Sequence, residues 1–369
     1  MIDPKRVEST FLDLVQLDSP SKFEAPVAQY CLHALQTIPG CTAWIEDTAP
    51  LSGSDTGNVR AFLPGSKPVT LYLTAHMDNV EPCRGVKPVI RDGVVYSDGT
   101  TVLGGDDKGG IAAIIEAVRG LSQSDEPRAS VGVLLTVQEE VGLFGSKSLP
   151  DDFLHGETVL VCDGDSKPGI VDVGAPYHYT FKAEFRGVAS HAGVAPEAGR
   201  SAIQMAAWAI SQMKLGRLEN GASANVGKVS GGSANNVIPA SCIVTGECRS
   251  LDGDIARGTM ESMEAILQEA AARFGGTVDS QWTLEYEGFR YADDDPAVLR
   301  ILDAARSLGL TAGTEVSGGG TDANILSAKG ARPLVLGAGM TDIHSTKESI
   351  ALADIVDLAR LLEACALSW

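Results

Sequence analysis

VTLYLTAHMD (residues 69–78) runs from an unbroken apolar and β-branched segment directly into a histidine and an aspartate. A segment without polar alternation suits a strand covered on both faces, the usual state in a parallel sheet. SVGVLLTV (130–137) and TVLVC (158–162) read the same way. Between the first two lies IAAIIEAVR (111–119), which reads as an apolar helix. Strand, helix, strand in this order is the βαβ unit of an open α/β sheet. Asp3-Pro4 predicts a helix start, with the aspartate as cap and proline at the first helical position. Far down the chain the pattern resumes. Asp295-Pro296 opens a helix that stops near Gly309, RPLVLGAG (332–339) is another buried-strand pattern, and a last helix falls at 352–366.

The middle of the chain has a different period. YTFKAEFRG (179–187) alternates Tyr179, Phe181, Ala183 and Phe185 with Thr180, Lys182, Glu184 and Arg186. That alternation predicts a sheet with one wet face. A helix follows at 201–213, then NVGKV (225–229) and SCIVTGECR (241–249), a second helix over 254–274 stopped by Gly275-Gly276, and TVDSQWTLEYE (277–287). The order β-α-β-β-α-β is the split βαβ arrangement. The expected fold is therefore α/β. A mostly parallel, open-sheet catalytic domain in two parts (1–174 and 290–369) carries an inserted α+β lid domain at 175–289.

The 369 residues carry 29 Lys and Arg against 48 Asp and Glu, a formal charge of −19. Nucleic acid and anionic lipid both require a basic face, so neither is expected as a partner. An apolar fraction of 44% excludes a disordered chain. No segment approaches the ~18 consecutive apolar residues of a membrane span. The first 20 residues hold no apolar run of signal type. Seven cysteines without a C-x-x-C pair read as reduced thiols, which leads to the expectation of a cytoplasmic protein.

The ionisable residues are placed informatively. His76 and Asp78, Glu139 and Glu140, Asp163 and Asp165, and Asp342 and His344 each follow the carboxyl end of an expected strand. GGDDKGG (104–110) precedes the first internal helix and brings Asp106 to the same edge. In open α/β sheets that edge binds ligands. So many carboxylates gathered there would repel one another unless a cation sat among them. One divalent metal, or a pair, resolves this, and histidine with carboxylate suits zinc, with cobalt or manganese as alternatives. His76 and Asp78 are two residues apart, so one can bind metal while the other orients its partner. Of the adjacent Glu139 and Glu140, one can ligate while the other acts as a base.

Other motifs carry less. GGDDKGG lacks the Gly-Lys-Ser/Thr ending of a phosphate loop, and no G-x-S-x-G or His-Glu-x-x-His is present. GGGTDA (318–323) formally fits a dinucleotide fingerprint, but Asp322 would repel phosphate and no clear strand precedes it. His33, His155 and His178 have no acidic strand-end company and read as structural or surface residues.

LTAHMD, GGDDKGG, QEEVGLFGS, VCDGD, SHAG, NNVIP, GGTDAN and IHSTKE, in this order and spacing, resemble the co-catalytic zinc metallopeptidases, the family of peptidase T, aminoacylases and glutamate carboxypeptidases. GGTDAN and EYEGF make the likeness strongest to the peptidase T branch. The resemblance implies two Zn2+ per chain, with Co2+ or Mn2+ possible substitutes. His76 and Asp163 would bind one ion, Glu140 and His344 the other, and Asp106 would bridge them. Asp78 would orient His76, and Glu139 would be the general base. In the lid, His191 would polarise the scissile carbonyl, reaching a partner's site in dimeric relatives. Asn236 and Arg249 would bind substrate. The implied substrate is a short peptide, and the implied assembly is a homodimer through the lid.

One departure concerns specificity. Peptidase T carries Arg before its GGTD segment, where this chain has Ser317-Gly318. An N-acyl-amino-acid amidohydrolase or carboxypeptidase of the same family remains the alternative activity. A nicotinamide-dependent oxidoreductase on an α/β sheet is the contrasting class, and it would retain nucleotide rather than metal.

Overall fold

The computed structural model describes residues 2–369. The chain divides into two compact units, Met1–Gly174 with Tyr291–Ser317 and Thr321–Trp369, and Ala175–Arg290 with Gly318–Gly320.

In chain order the first unit opens with α1 (Pro4–Val15) and α2 (Ala25–Gln36), then β1 (Thr42–Ile45), β2 (Val59–Leu63), β3 (Thr70–His76), α3 (Gly105–Ser122), β4 (Ser130–Thr136), β5 (Thr158–Gly164) and β6 (Ile170–Asp172). The second unit supplies β7 (Tyr177–Arg186), α4 (Ala202–Gln212), β8 (Gly216–Arg217), β9 (Ser223–Gly231), β10 (Ser241–Ser250), α5 (Gly253–Arg273) and β11 (Thr277–Tyr286). The first unit then resumes with α6 (Pro296–Ser307), β12 (Gly313–Glu315), α7 (Asp322–Ala328), β13 (Arg332–Gly337) and α8 (Leu352–Ser368).

The sheet of the first unit has eight strands in the order β1-β2-β4-β3-β5-β13-β6-β12. β3 runs parallel to β4 and β5, β5 to β13, and β6 to β12. β1, β2 and the β13–β6 pair are antiparallel. The fold is therefore α/β around a mostly parallel sheet. The central strands were legible in the sequence because both faces are covered: Leu71 and Thr74, Val131 and Leu134, and Val159 and Leu160 point to opposite faces and are all fully buried. The flanking strands were not. β6 and β12 are three residues each, too short to carry a period.

Helix α3 is buried all round, from β3 on one side to α1 and α8 on the other. Its Ile111, Ile114, Ala113 and Ala117 expose nothing, and each such isoleucine contributes about 1.5–3 kcal/mol by burial. The helix reaches β5 closely because position 110 is glycine: a Cβ there would lie 2.7 Å from the Cys162 carbonyl. That approach carries the Asp106–Asp107 turn, which departs from helical backbone, to the carboxyl end of the sheet. Asp3 caps α1 as expected, its carboxylate accepting from Lys5 N–H at 2.9 Å.

The sheet of the second unit runs β8-β9-β10-β7-β11, all antiparallel. α4 and α5 cover one face, closing a core of Phe181, Phe185, Met205, Val244, Met263 and Leu267. The polar half of the alternation in 179–187 lies on the opposite face, where Thr180, Lys182, Thr245, Gln281 and Thr283 line an open concavity.

Candidate metal centre

Four strand ends and one helix start of the first unit build the cluster. His76 is the last residue of β3 and is 2% exposed. Asp78 follows two residues later. Glu139 and Glu140 follow β4, Asp163 lies at the end of β5, Asp106 at the start of α3, and His344 in the loop after β13. Two of these loops hold non-glycine residues in left-handed backbone, Gln138 at φ 51° and His344 at φ 59°. Such conformations cost free energy and persist where the surroundings over-determine them, which is common at functional sites.

Asp106 stands between the two histidines. Its Oδ1 is 2.9 Å from His76 Nε2 and its Oδ2 is 3.2 Å from His344 Nε2. His344 Nε2 also lies 3.0 Å from the carboxylate of Glu140, and His76 Nε2 lies 3.8 Å from Asp163 Oδ1. His76 Nδ1 is 3.0 Å from the carbonyl of Asp78. With Nδ1 donating there, Nε2 is the ring nitrogen that faces the carboxylates and the one that would ligate a metal among them.

Ligand atoms converge in two sets. His76, Asp106 and Glu140 form one, and His76, Asp107 and Asp163 the other, with the atoms of each set within 4.8 Å of one another. Asp107 is an addition to the residues expected from sequence. It is fully buried, and its Oδ2 accepts the His76 backbone N–H at 3.2 Å. Its place beside Asp106 in GGDDKGG was the available signal.

A shell of buried acceptors fixes the backbone beneath these groups. Asp78, fully buried, accepts from Glu139 N–H at 2.9 Å, Glu140 N–H at 3.3 Å and the Ser21 hydroxyl at 2.6 Å. Glu24 accepts from Gln138 N–H at 3.1 Å. Glu348, in the IHSTKE segment, receives backbone N–H groups around Asp106. Asp322 is buried at the start of α7 and accepts from the Thr136 hydroxyl. No local pattern marks Glu24. The GGTDAN segment is the sequence signal for Asp322.

The electrostatics follow from this crowding. Burial pushes the Glu139 carboxyl well above its ordinary range, and the charges of Asp322, Glu140 and Asp78 add to the effect while His76 opposes it. Asp163 is raised by burial and by Asp106. Burial would raise Asp106 too, but its hydrogen bonds with His344 and His76 overcome this and hold it below the usual range. His76 is raised because Asp106 and Asp78 outweigh its burial. His344 is pushed up to about 10 by Asp106 and Glu140. The buried carboxylates raised in this way are the ones that other negative charges crowd. Divalent cations would supply a compensating charge, and the donor set of imidazole nitrogens and carboxylate oxygens suits them.

The remaining sequence-derived candidates lie in the second unit. His191 is exposed and pairs through the backbone with Val237, and Ala192 N–H donates to Asn236 O at 2.9 Å, so the SHAG and NNVIP segments are neighbours. Gly193 N–H donates to His191 Nδ1 at 3.2 Å, leaving the proton on Nε2. Arg249 donates from Nη2 to Glu247 at 3.0 Å and from Nη1 to Gly318 O at 3.2 Å and Tyr286 OH at 3.4 Å. His178 is buried and paired with Glu247 at 2.6 Å, a structural role.

An α/β sheet whose carboxyl edge gathers two histidines around a shared aspartate defines a metal-binding class of α/β protein. The chain matches peptidase family M20/M25/M40 over residues 72–368 and belongs to that family. It is similar to the uncharacterized protein YqjE of Bacillus subtilis, 36% identical over 365 residues that cover 99% of this chain and 98% of the relative. Among solved structures it resembles aminopeptidase PepT from Bacillus cereus, with TM-score 0.93 and 36% identity over 100% of this chain and 99% of that one. A tripeptidase from Staphylococcus aureus is equally close in fold, with TM-score 0.93 and 34% identity over 100% and 99%. Among the described residues no helix is long and apolar enough to cross a membrane.

Proposed function

We propose that this chain is a two-metal exopeptidase that hydrolyses short peptides, with Glu139 as the general base. The observation that carries the reading is Asp106, one carboxylate oxygen toward His76 and the other toward His344, with Glu139 following β4 at the same sheet edge. His76 and Asp163 would hold one zinc ion, Glu140 and His344 the other, and Asp106 would bridge them. Bound there, the ions would supply Lewis acidity and lower the pKa of water toward about 7.

The chain's own groups then have separate tasks. Glu139 takes a proton from the attacking water at its carboxylate and returns it to the leaving amine. Its burial moves its proton affinity upward, the direction that favours a carboxylate as a base. Asp78 holds His76 in its tautomer and fixes the main chain of Glu139. The Nε2–H of His191 is a donor suited to a developing oxyanion, and Asn236 and Arg249 are suited to substrate polar groups. The similarity to an aminopeptidase and a tripeptidase supports peptides with a free N-terminus as substrates.

The test is a hydrolysis panel run on metal-loaded protein. It contains di- and tripeptides with free and blocked termini, together with N-acetyl amino acids. Cleavage of free-amine peptides, lost on N-acetylation, is the expected result. Turnover of N-acetyl amino acids alone would replace this reading with an amidohydrolase.

A further inference from the structure

Glu348 lies four residues after His344 and is 2% exposed. Its Oε2 accepts from Leu103 N–H at 2.8 Å and Gly104 N–H at 2.9 Å, and its Oε1 from Asp106 N–H at 2.9 Å. The partners are more than 240 residues away in sequence. Asn79 takes the other side of the same aspartate: its Nδ2 donates to Asp106 O at 2.6 Å, and its Oδ1 accepts from the Ser19 hydroxyl at 3.0 Å. Both main-chain polar groups of Asp106 are therefore held by buried side chains.

The turn cannot reach this arrangement by local preference alone. Gly104 has φ 79°, and a Cβ there would meet Asn79 Nδ2 at 2.9 Å. Asp106 itself leaves helical backbone at ψ 103°. A carboxylate that accepts three N–H groups is worth more than three neutral acceptors, because each bond is charge-assisted. The same residue ties two loops together. It follows His344 in the chain and grips the loop of Asp106, the two groups that meet at 3.2 Å. Ser349–Ala351, directly after Glu348, pairs with Val94–Tyr96 and anchors it to a sheet.

We infer that Glu348 and Asn79 are positioning residues which hold Asp106 by its N–H and its C=O, so that its carboxylate faces both histidines at once. The inference rests on the reading of the cluster as a metal centre and adds who aims its shared ligand. Groups behind a ligand commonly tune metal affinity by about 10–100-fold.

The experiment titrates metal-free protein with Co2+ alone, followed by visible absorption, with no peptide present. Wild type, Glu348→Gln, Glu348→Ala and Asn79→Ala are compared. The variants are expected to bind Co2+ about 10–100-fold more weakly with an altered spectrum, Ala at 348 more affected than Gln, which keeps one accepting oxygen. In a separate assay on a free-amine tripeptide at saturating metal, kcat should fall with little change in KM. Folded variants with wild-type Co2+ affinity and spectrum overturn the inference. Should a variant not fold, amide hydrogen exchange on metal-free wild type decides. Leu103, Gly104 and Asp106 should be protected, and unprotected exchange at all three overturns it. If wild type takes up no Co2+, the metal-centre reading fails as well; if it takes up two and the variants match it, only this inference fails.

Discussion

Asp78 accepts the main-chain N–H of Glu139 at 2.9 Å, so the residue whose carbonyl lies 3.0 Å from His76 Nδ1 also sets the stem from which Glu139 projects. Glu139→Gln keeps that N–H and removes only the proton-accepting carboxylate. The variant is expected to fold and to bind metal while losing about 10²–10⁴ of its turnover. Near-normal kcat in purified, metal-loaded Glu139→Gln would take the base role away from this residue.

Asp78→Asn should act differently. It leaves an amide NH2 facing backbone N–H donors that a carboxylate now satisfies. Leaving buried donors unpaired costs about 1–3 kcal/mol, so thermal stability and turnover should both fall. A normal Tm with unchanged kcat in Asp78→Asn would count against its place under Glu139.

Metal removal gives a third expectation. Chelation should abolish hydrolysis, and zinc, cobalt or manganese should restore it at two ions per chain, counted by elemental analysis. Because the cluster is assembled only in the folded chain, free metal at about 100 times its Kd should stabilise the protein by roughly 2.7 kcal/mol per site. Active enzyme free of metal by elemental analysis would end the two-metal proposal.

Asp172 predicts a pH effect away from this cluster. Burial, then the charges of Glu315 and Asp165, push its pKa from 3.8 to about 7. Because the folded value is raised, its stabilising contribution is complete below pH 3.8 and is lost as pH rises through about 7. Asp172→Asn should therefore gain stability relative to wild type between pH 4 and pH 8, by at most about 4 kcal/mol for a shift of roughly three units. Melting curves across that range that stay parallel for the two proteins would contradict this.

Arg249 offers a test of substrate charge. Glu247, Gly318 and Tyr286 occupy three of its N–H donors, and an arginine has about five. If the others take a substrate carboxylate, Arg249→Met should cost free-acid peptides about 2–5 kcal/mol in kcat/KM. Amidated peptides, already poor, should lose little more. Equal losses on acid and amide would mean that Arg249 acts by holding its neighbours in place.

Much of this was written into local sequence. Unbroken apolar runs at 69–75, 130–137 and 158–162 specify strands buried on both faces, since polar alternation there would leave side chains without water. Once strand direction is known, His76, Glu139, Glu140 and Asp163 must share the carboxyl edge. Only the tertiary structure brought Asp107 into the cluster and set Glu348 and Asn79 on the two sides of Asp106. Those relationships join segments up to 245 residues apart. They depend on how closely α3 packs on β5 and on which buried N–H lacks a partner, conditions set by packing in three dimensions and by no periodicity along the chain.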